Sequence, residues 1–179
     1  MIENIDILVI FLCICLFAII QSIFGVGLLV FGTPTLLLLG YPFYETLSYL
    51  LPSSIVVSFF QVYNRWDYIN LYRFNVFFFL LPMVALGLLF LFFVSGVNIS
   101  LHLGIMLFLI FSVRLSDKFN RILQSLFSNN FRVSLAFIGF IHGLTNLGGG
   151  PLVVVTNGIY DRKVEIQANI AYAYLTMAI

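Results

Sequence analysis

Apolar residues run through this chain in long blocks, near positions 7–24, 28–39, 47–62, 74–94, 99–113 and 133–147, separated by short polar or glycine- and proline-bearing connections. Several blocks approach the roughly 20 residues that a helix needs to cross a bilayer. The pattern predicts an all-α membrane protein, a multi-pass helical bundle. Two glycine-centred segments interrupt it, Gly25-Val26-Gly27 running on to Pro34, and Leu147-Gly148-Gly149-Gly150-Pro151, about 120 residues apart. Glycine lets backbone turn or approach a solute at membrane depth, where irregular backbone survives only under cover of protein or beside a water-filled cavity. In transporters built from internal repeats, matched glycine and proline breaks in the two halves mark the substrate site.

Composition places the chain in the membrane. With 62% hydrophobic residues, 8% charged residues and a mean hydropathy of +1.12, it lacks the polar surface of a soluble domain. Glu3 and Asp6 precede the first block where a cleaved signal peptide would carry basic residues, so that block reads as a span. The few charges give orientation. Arg65 and Arg73 share one connection, Arg114, Lys118, Arg121 and Arg132 lie in or beside another, and Arg162 and Lys163 lie in a third. The N-terminus and the connections at 40–46 and 95–98 hold no Lys or Arg. The positive-inside rule therefore puts the basic loops in the cytoplasm and the N-terminus outside, and the parity of the crossings agrees.

Sliding the chain against itself by 123 positions puts Ser22 to Val30 on Thr145 to Val153, with hydroxyls, glycines and aliphatics coinciding and Thr33 falling on Thr156. Five crossings precede the second glycine segment, so the two are approached from opposite sides, which predicts an inverted internal repeat. The domain reading is a first transmembrane repeat over 1–113, a cytoplasmic amphipathic connector over 114–132, and the start of a second repeat over 133–179. The second repeat is incomplete: the chain stops in an apolar run, and one further repeat period predicts a protein of about 240 to 250 residues.

If each glycine segment ends one half-helix and begins another, the N–H groups of 25–28 and 149–152 lie at helix N-termini near the bilayer midplane. First-turn N–H groups have no intrahelical acceptor, and the helix dipole adds about half a positive charge there. Pro151 suits a first turn, where its missing N–H costs nothing. The nearby polar side chains are neutral: Gln21, Ser22 and Thr33 in one copy, His142, Thr145, Asn146, Thr156 and Asn157 in the other. Of these, Gln21, Ser22, Thr33, His142, Thr145 and Asn146, with Gly25, Gly27, Gly148, Gly149 and Gly150, form the candidate substrate site. Amide, hydroxyl and carboxamide donors suit a small oxyanion better than a cation, which would want carboxylates or exposed carbonyls. Two other readings stay open. A cation could use carbonyls freed at the breaks, or the glycines could serve close helix packing in a scaffold subunit.

The stretch Gln21-Ser22-Ile23-Phe24-Gly25-Val26-Gly27, followed by Pro34 and a leucine run, resembles the first signature of the TauE/SafE family of membrane permeases, often called sulfite exporters. Gly139-Phe140-Ile141-His142-Gly143-Leu144-Thr145-Asn146-Leu147-Gly148-Gly149-Gly150-Pro151 resembles its second. The likeness covers the first half and the opening of the second. It implies duplicated halves, a location in the cell membrane (the inner membrane in prokaryotes), and export or uptake of sulfite, sulfoacetate and related sulfur-containing anions. Leu28 and Leu29 depart from it, standing where many members continue the glycine run.

The remaining residues sharpen this reading. His142 opens the second glycine segment, where an imidazole can donate to an anion, carry a coupled proton or bond a neighbouring helix. His102 and Glu45 read as interfacial or solvated, and Pro52 and Pro82 as kinks, with Ser53 and Ser54 beside the first. Cys13 and Cys15, two apart on a helix, point in different directions and share neither bridge nor metal. The chain shows no intramembrane carboxylate pair, His/Cys metal spacing, nucleophile motif or phosphate loop, so neither an enzyme, a cofactor nor a metal is expected. The expected partners are a small anionic solute and the lipid bilayer, with no nucleic acid.

Overall fold

The computed structural model describes residues 2–69, 72–93 and 129–178 together with scattered positions between 101 and 127, with side chains from Asp6 onward. Most of the fifth apolar block and of the 114–132 connector, the 95–98 connection and His102 lie outside the described residues. Every described element is helical. In chain order these are α1 (Ile2–Phe24), α2 (Leu28–Leu38), α3 (Phe43–Tyr63), a 3-10 turn at Trp66–Tyr68, α4 (Tyr72–Phe93), α5 (Phe131–Thr145), α6 (Gly149–Asn157) and α7 (Lys163–Ala178).

Among the described residues, three helices are long and apolar enough to cross a bilayer: Asp6–Phe24, Phe43–Tyr63 and Tyr72–Phe93. The second apolar block forms a shorter helix. At 11 residues α2 is about 16 Å long, half a hydrocarbon core. On α1, Ile7, Phe11, Leu12, Leu16 and Ile19 are all exposed. A soluble protein does not present so continuous an apolar face, whereas acyl chains cover it without cost.

Contact between α4 and α5 rests on three glycines. A Cβ on Gly139 would sit 2.3 Å from the Leu80 carbonyl oxygen, one on Gly143 2.3 Å from that of Val84, and one on Gly87 2.5 Å from that of Phe140. Gly139 and Gly143 are the four-residue glycine spacing that lets membrane helices touch backbone to backbone. Within α4, the turn Val76–Leu80 is a π-helix. Pro82 follows it; proline has no N–H to give, and its ring crowds the carbonyl four residues back, which favours local widening.

The order long helix, break, short helix, turn, helix occurs twice, as α1–α2–α3 and as α5–α6–α7. The first helices end at Phe24 and Thr145, the left-handed residues are Gly25 and Asn146, and the short helices begin at Leu28 and Gly149, each pair 121 positions apart. This corrects the 123-residue register taken from residue identities. Two of the predicted basic loops share one end of the bundle: the Arg162 guanidinium lies 5.6 Å over the Tyr68 ring, and Arg65 reaches Gln167 near the start of α7. At another corner, Tyr41 donates to Asp6 Oδ1 at 3.3 Å, joining the N-terminal helix to the 39–42 turn.

Candidate functional site

Helix α7 packs against both glycine breaks. A Cβ on Gly25 would meet Gln167 Cα at 3.5 Å, whereas one on Gly149 would fall on the Tyr174 hydroxyl. The Gly149 Cβ would also lie 2.8 Å from Val30 Cγ2, two residues into α2, so the starts of the two short helices are close neighbours.

At the first tip two of the donors are already used. Gly25, at φ 81, donates its N–H to the Gln21 carbonyl at 2.8 Å and so closes α1; it does not open α2. Gln21 is fully buried, its Oε1 accepts from the Leu28 N–H at 3.2 Å, and its Nε2 donates to Ser58 Oγ at 3.0 Å. Of the N–H groups over 25–28 expected to be open, those of Gly25 and Leu28 are thus engaged by the chain itself. Gly27 is required by space: a Cβ there would lie 2.7 Å from the Gln21 nitrogen. Ser22 is exposed and returns its hydroxyl to Ala18 O at 2.8 Å.

The second tip is different. Asn146 takes the left-handed conformation at φ 59 and donates its N–H to the His142 carbonyl at 2.7 Å. Its Nδ2 donates to Thr33 Oγ1 at 3.0 Å, tying the tip to the middle of α2. Thr145 Oγ1 donates to Ile141 O at 2.8 Å and accepts from the Leu147 N–H at 3.2 Å, fixing the turn. Helix α6 then starts at Gly149 with Gly148 before it and no side-chain cap. Its first internal bond runs from Leu152 N–H to Gly148 O at 3.0 Å, so Gly149 and Gly150 present first-turn N–H groups.

Two buried polar groups without partners face this start, Tyr174 Oη and His142 Nδ1. A Cβ on Gly148 would lie 3.1 Å from His142 Nδ1, and one on Gly149 would overlap Tyr174 Oη, so both groups stand against the first turn of α6. Buried polar atoms are nearly always paired, and orphans in a native fold point to a ligand, ion or water. In the structural register His142 is the counterpart of Gln21, which caps its own short helix; His142 leaves the equivalent place open. A phenol O–H, backbone N–H groups and an imidazole can all donate to an oxyanion. Among the described residues no group of three or more His, Cys, Asp or Glu converges on a metal-sized site.

Of the sequence-predicted residues, Gly148, Gly149, Gly150, His142, Thr145, Asn146 and Thr33 gather at this second tip. Gln21, Ser22, Gly25 and Gly27 lie at the first, toward the basic end. Thr156 is engaged with the Tyr72 hydroxyl at 3.2 Å, and Asn157 is exposed. Sequence reasoning missed Tyr174, Gln167, Gln61 and Arg65 as site residues. The available signal was Gln167 and Tyr174 themselves, polar-tipped residues two turns apart on one helix face.

Long lipid-exposed helices, close glycine packing and broken short helices with buried donors define a multi-pass helical membrane protein of the transporter type. The chain belongs to the sulfite exporter TauE/SafE family, whose sequence model matches residues 10–179. This is a family of membrane transporters for sulfur-containing anions. No curated protein and no solved structure matches the chain.

Proposed function

We propose that this protein carries a small sulfur-containing oxyanion, sulfite or an organosulfonate, across the cell membrane, with the anion held at the start of α6. The observation that carries the reading is the pair of orphaned buried groups, Tyr174 Oη and His142 Nδ1, beside the Gly149 and Gly150 N–H groups. Thr33, Thr145 and Asn146 hold the turn that aims those groups, while Gln21, Gly25 and Gly27 build the first tip. The basic loops face the cytoplasm and the N-terminus lies outside, following the positive-inside rule. The two halves form an inverted repeat that rocks to alternate access. Export is downhill, since expelling an anion from a negative interior releases about 2.3 kcal/mol per charge per 100 mV. The protein is a carrier and not an enzyme.

The test is flux of labelled sulfite in vesicles, with sulfoacetate and sulfate as competitors, comparing wild type with Gly149→Leu and Tyr174→Phe. Saturable flux lost in Gly149→Leu and shifted to higher sulfite concentration in Tyr174→Phe, with membrane insertion unchanged, supports the site. Absence of flux for every anion tried, from well-inserted protein, overturns the reading and moves the weight to another solute or to a scaffold held together by its glycine seam.

A further inference from the structure

Beside the first tip lies an open groove of about 340 Å³, lined by Ser22, Val56, Val57, Phe60, Gln61, Asn64 and Arg65. It has a positive charge at one end and no acidic residue in its lining. Gln61 Nε2 donates to the Gln21 carbonyl at 2.9 Å, and its Oε1 is buried without a partner. Arg65 Nη1 donates to Gln167 Oε1 at 2.7 Å, and Gln167 Nε2 in turn donates to the Ile23 carbonyl. Ile23 is two residues before Gly25, whose Cα faces Gln167. A single chain of bonds therefore runs from the groove through α7 to the first glycine turn.

We propose that this groove is a second anion site, where a sulfonate or sulfite docks from the basic side before reaching α6, and that Arg65 exchanges Gln167 Oε1 for the anion. The inference rests on the transport reading above for its direction of travel. Its chemistry stands alone. A guanidinium fork matches two oxygens of a sulfonate group, Asn64 adds a neutral donor, and Phe60, Val56 and Val57 accept the carbon end of an organosulfonate. Released from Arg65, Gln167 no longer holds the Ile23 carbonyl in one geometry, and the Gly25 turn gains freedom to move. Arg65 thus reads the anion and Gln167 passes the signal to the tip.

The experiment uses the full-length protein with Cys13→Ala and Cys15→Ala as background and Asn64→Cys as reporter, in vesicles exposing the basic side. Labelling by N-ethylmaleimide is timed with sulfoacetate against chloride of equal ionic strength. Sulfoacetate is expected to slow labelling at least fivefold. An Asn157→Cys control, on an exposed residue away from the groove, is expected to be unaffected. Adding Arg65→Gln is expected to raise the sulfoacetate concentration needed about tenfold, the scale of a charged hydrogen bond, with Arg65→Lys in between. Adding Gln167→Ala removes the competitor for Arg65 and is expected to lower the concentration needed, a change opposite in sign to any loss of folding. No protection, equal protection by chloride, or protection unchanged by Arg65→Gln overturns the groove site. Wild-type flux without protection overturns the groove and leaves transport standing; protection without flux supports the groove and overturns transport.

Discussion

Asn146 donates its carboxamide to Thr33 Oγ1 at 3.0 Å, joining the turn of the second hairpin to the middle of the first short helix across 113 residues of chain. Both residues are buried, so the bond cannot be replaced by water without opening the bundle. Asn146 does a second job, because it is the one described non-glycine residue at positive φ. The two roles separate by substitution. Asn146→Gly keeps the backbone and loses the bond, at about 1–3 kcal/mol for an orphaned Thr33 hydroxyl. Asn146→Ala adds the left-handed strain of a Cβ, about 1–2 kcal/mol more. Unfolding of the two variants in mixed micelles is expected to rank wild type, Gly, Ala. Equal stability of Gly and Ala variants would show that the turn relaxes out of the left-handed region.

The α4–α5 seam makes a prediction from distance alone. At Gly139 and Gly143 an added methyl meets backbone oxygen at 2.3 Å, which can yield only if the helices part. Gly139→Ala and Gly143→Ala are each expected to destabilise by about 1–3 kcal/mol or more. Gly32→Ala meets the flexible end of Leu50 at 3.0 Å and is expected to cost less. Thermal unfolding in detergent compares the three, and a Gly32→Ala loss as large as the others would remove the seam from the list of stabilising contacts.

Much of this fold was legible in the blocks of apolar residues, and the breaks were legible in the glycines. Helix length was not. Nothing in the identity of residues 7–24 says that α1 stays intact to Phe24. Register failed for a physical reason. Identity aligned Gly25 with Gly148, whereas the left-handed position after α5 is filled by Asn146, whose short polar side chain tolerates that conformation. Gln21 read as a ligand donor because a sequence does not show that its amide folds back on Leu28. Tyr174 was hidden in an apolar run, and Arg65 was read only as loop charge because its partner Gln167 is 102 residues away.

The loop before α7 carries a pH signature. Arg162 hydrogen-bonds Glu165 and holds its carboxyl below the usual carboxylate range. A depressed folded-state value means that the stabilisation is present above the unfolded pKa and is lost as pH falls through the folded one. Arg162 is exposed and Glu165 half-buried beside it, so the effect is local. Carbon NMR of the Glu165 carboxyl is expected to show a midpoint below that of a free glutamate, moving up to the ordinary value in Arg162→Gln. An unchanged midpoint in that variant would mean that the pair does not persist in the membrane-bound protein.

Tyr174→Phe separates a ligand-binding hydroxyl from a structural one. A buried hydroxyl that bonds within the protein loses about 0.5–1.5 kcal/mol when removed, but one without a partner is a burden to the folded state, and its removal is neutral or stabilising. Tyr174 Oη has no partner in the described structure and sits against the first turn of α6. Tyr174→Phe is therefore expected to unfold at the same temperature as wild type or higher, while the KM for sulfite rises about tenfold, the scale of one hydrogen bond to an anion. The same experiment on Tyr72→Phe, whose hydroxyl is paired with Thr156 at 3.2 Å, is expected to show the reverse, lower stability with KM unchanged. If Tyr174→Phe loses stability and keeps its KM, the hydroxyl serves the fold, and the anion binds somewhere other than the start of α6.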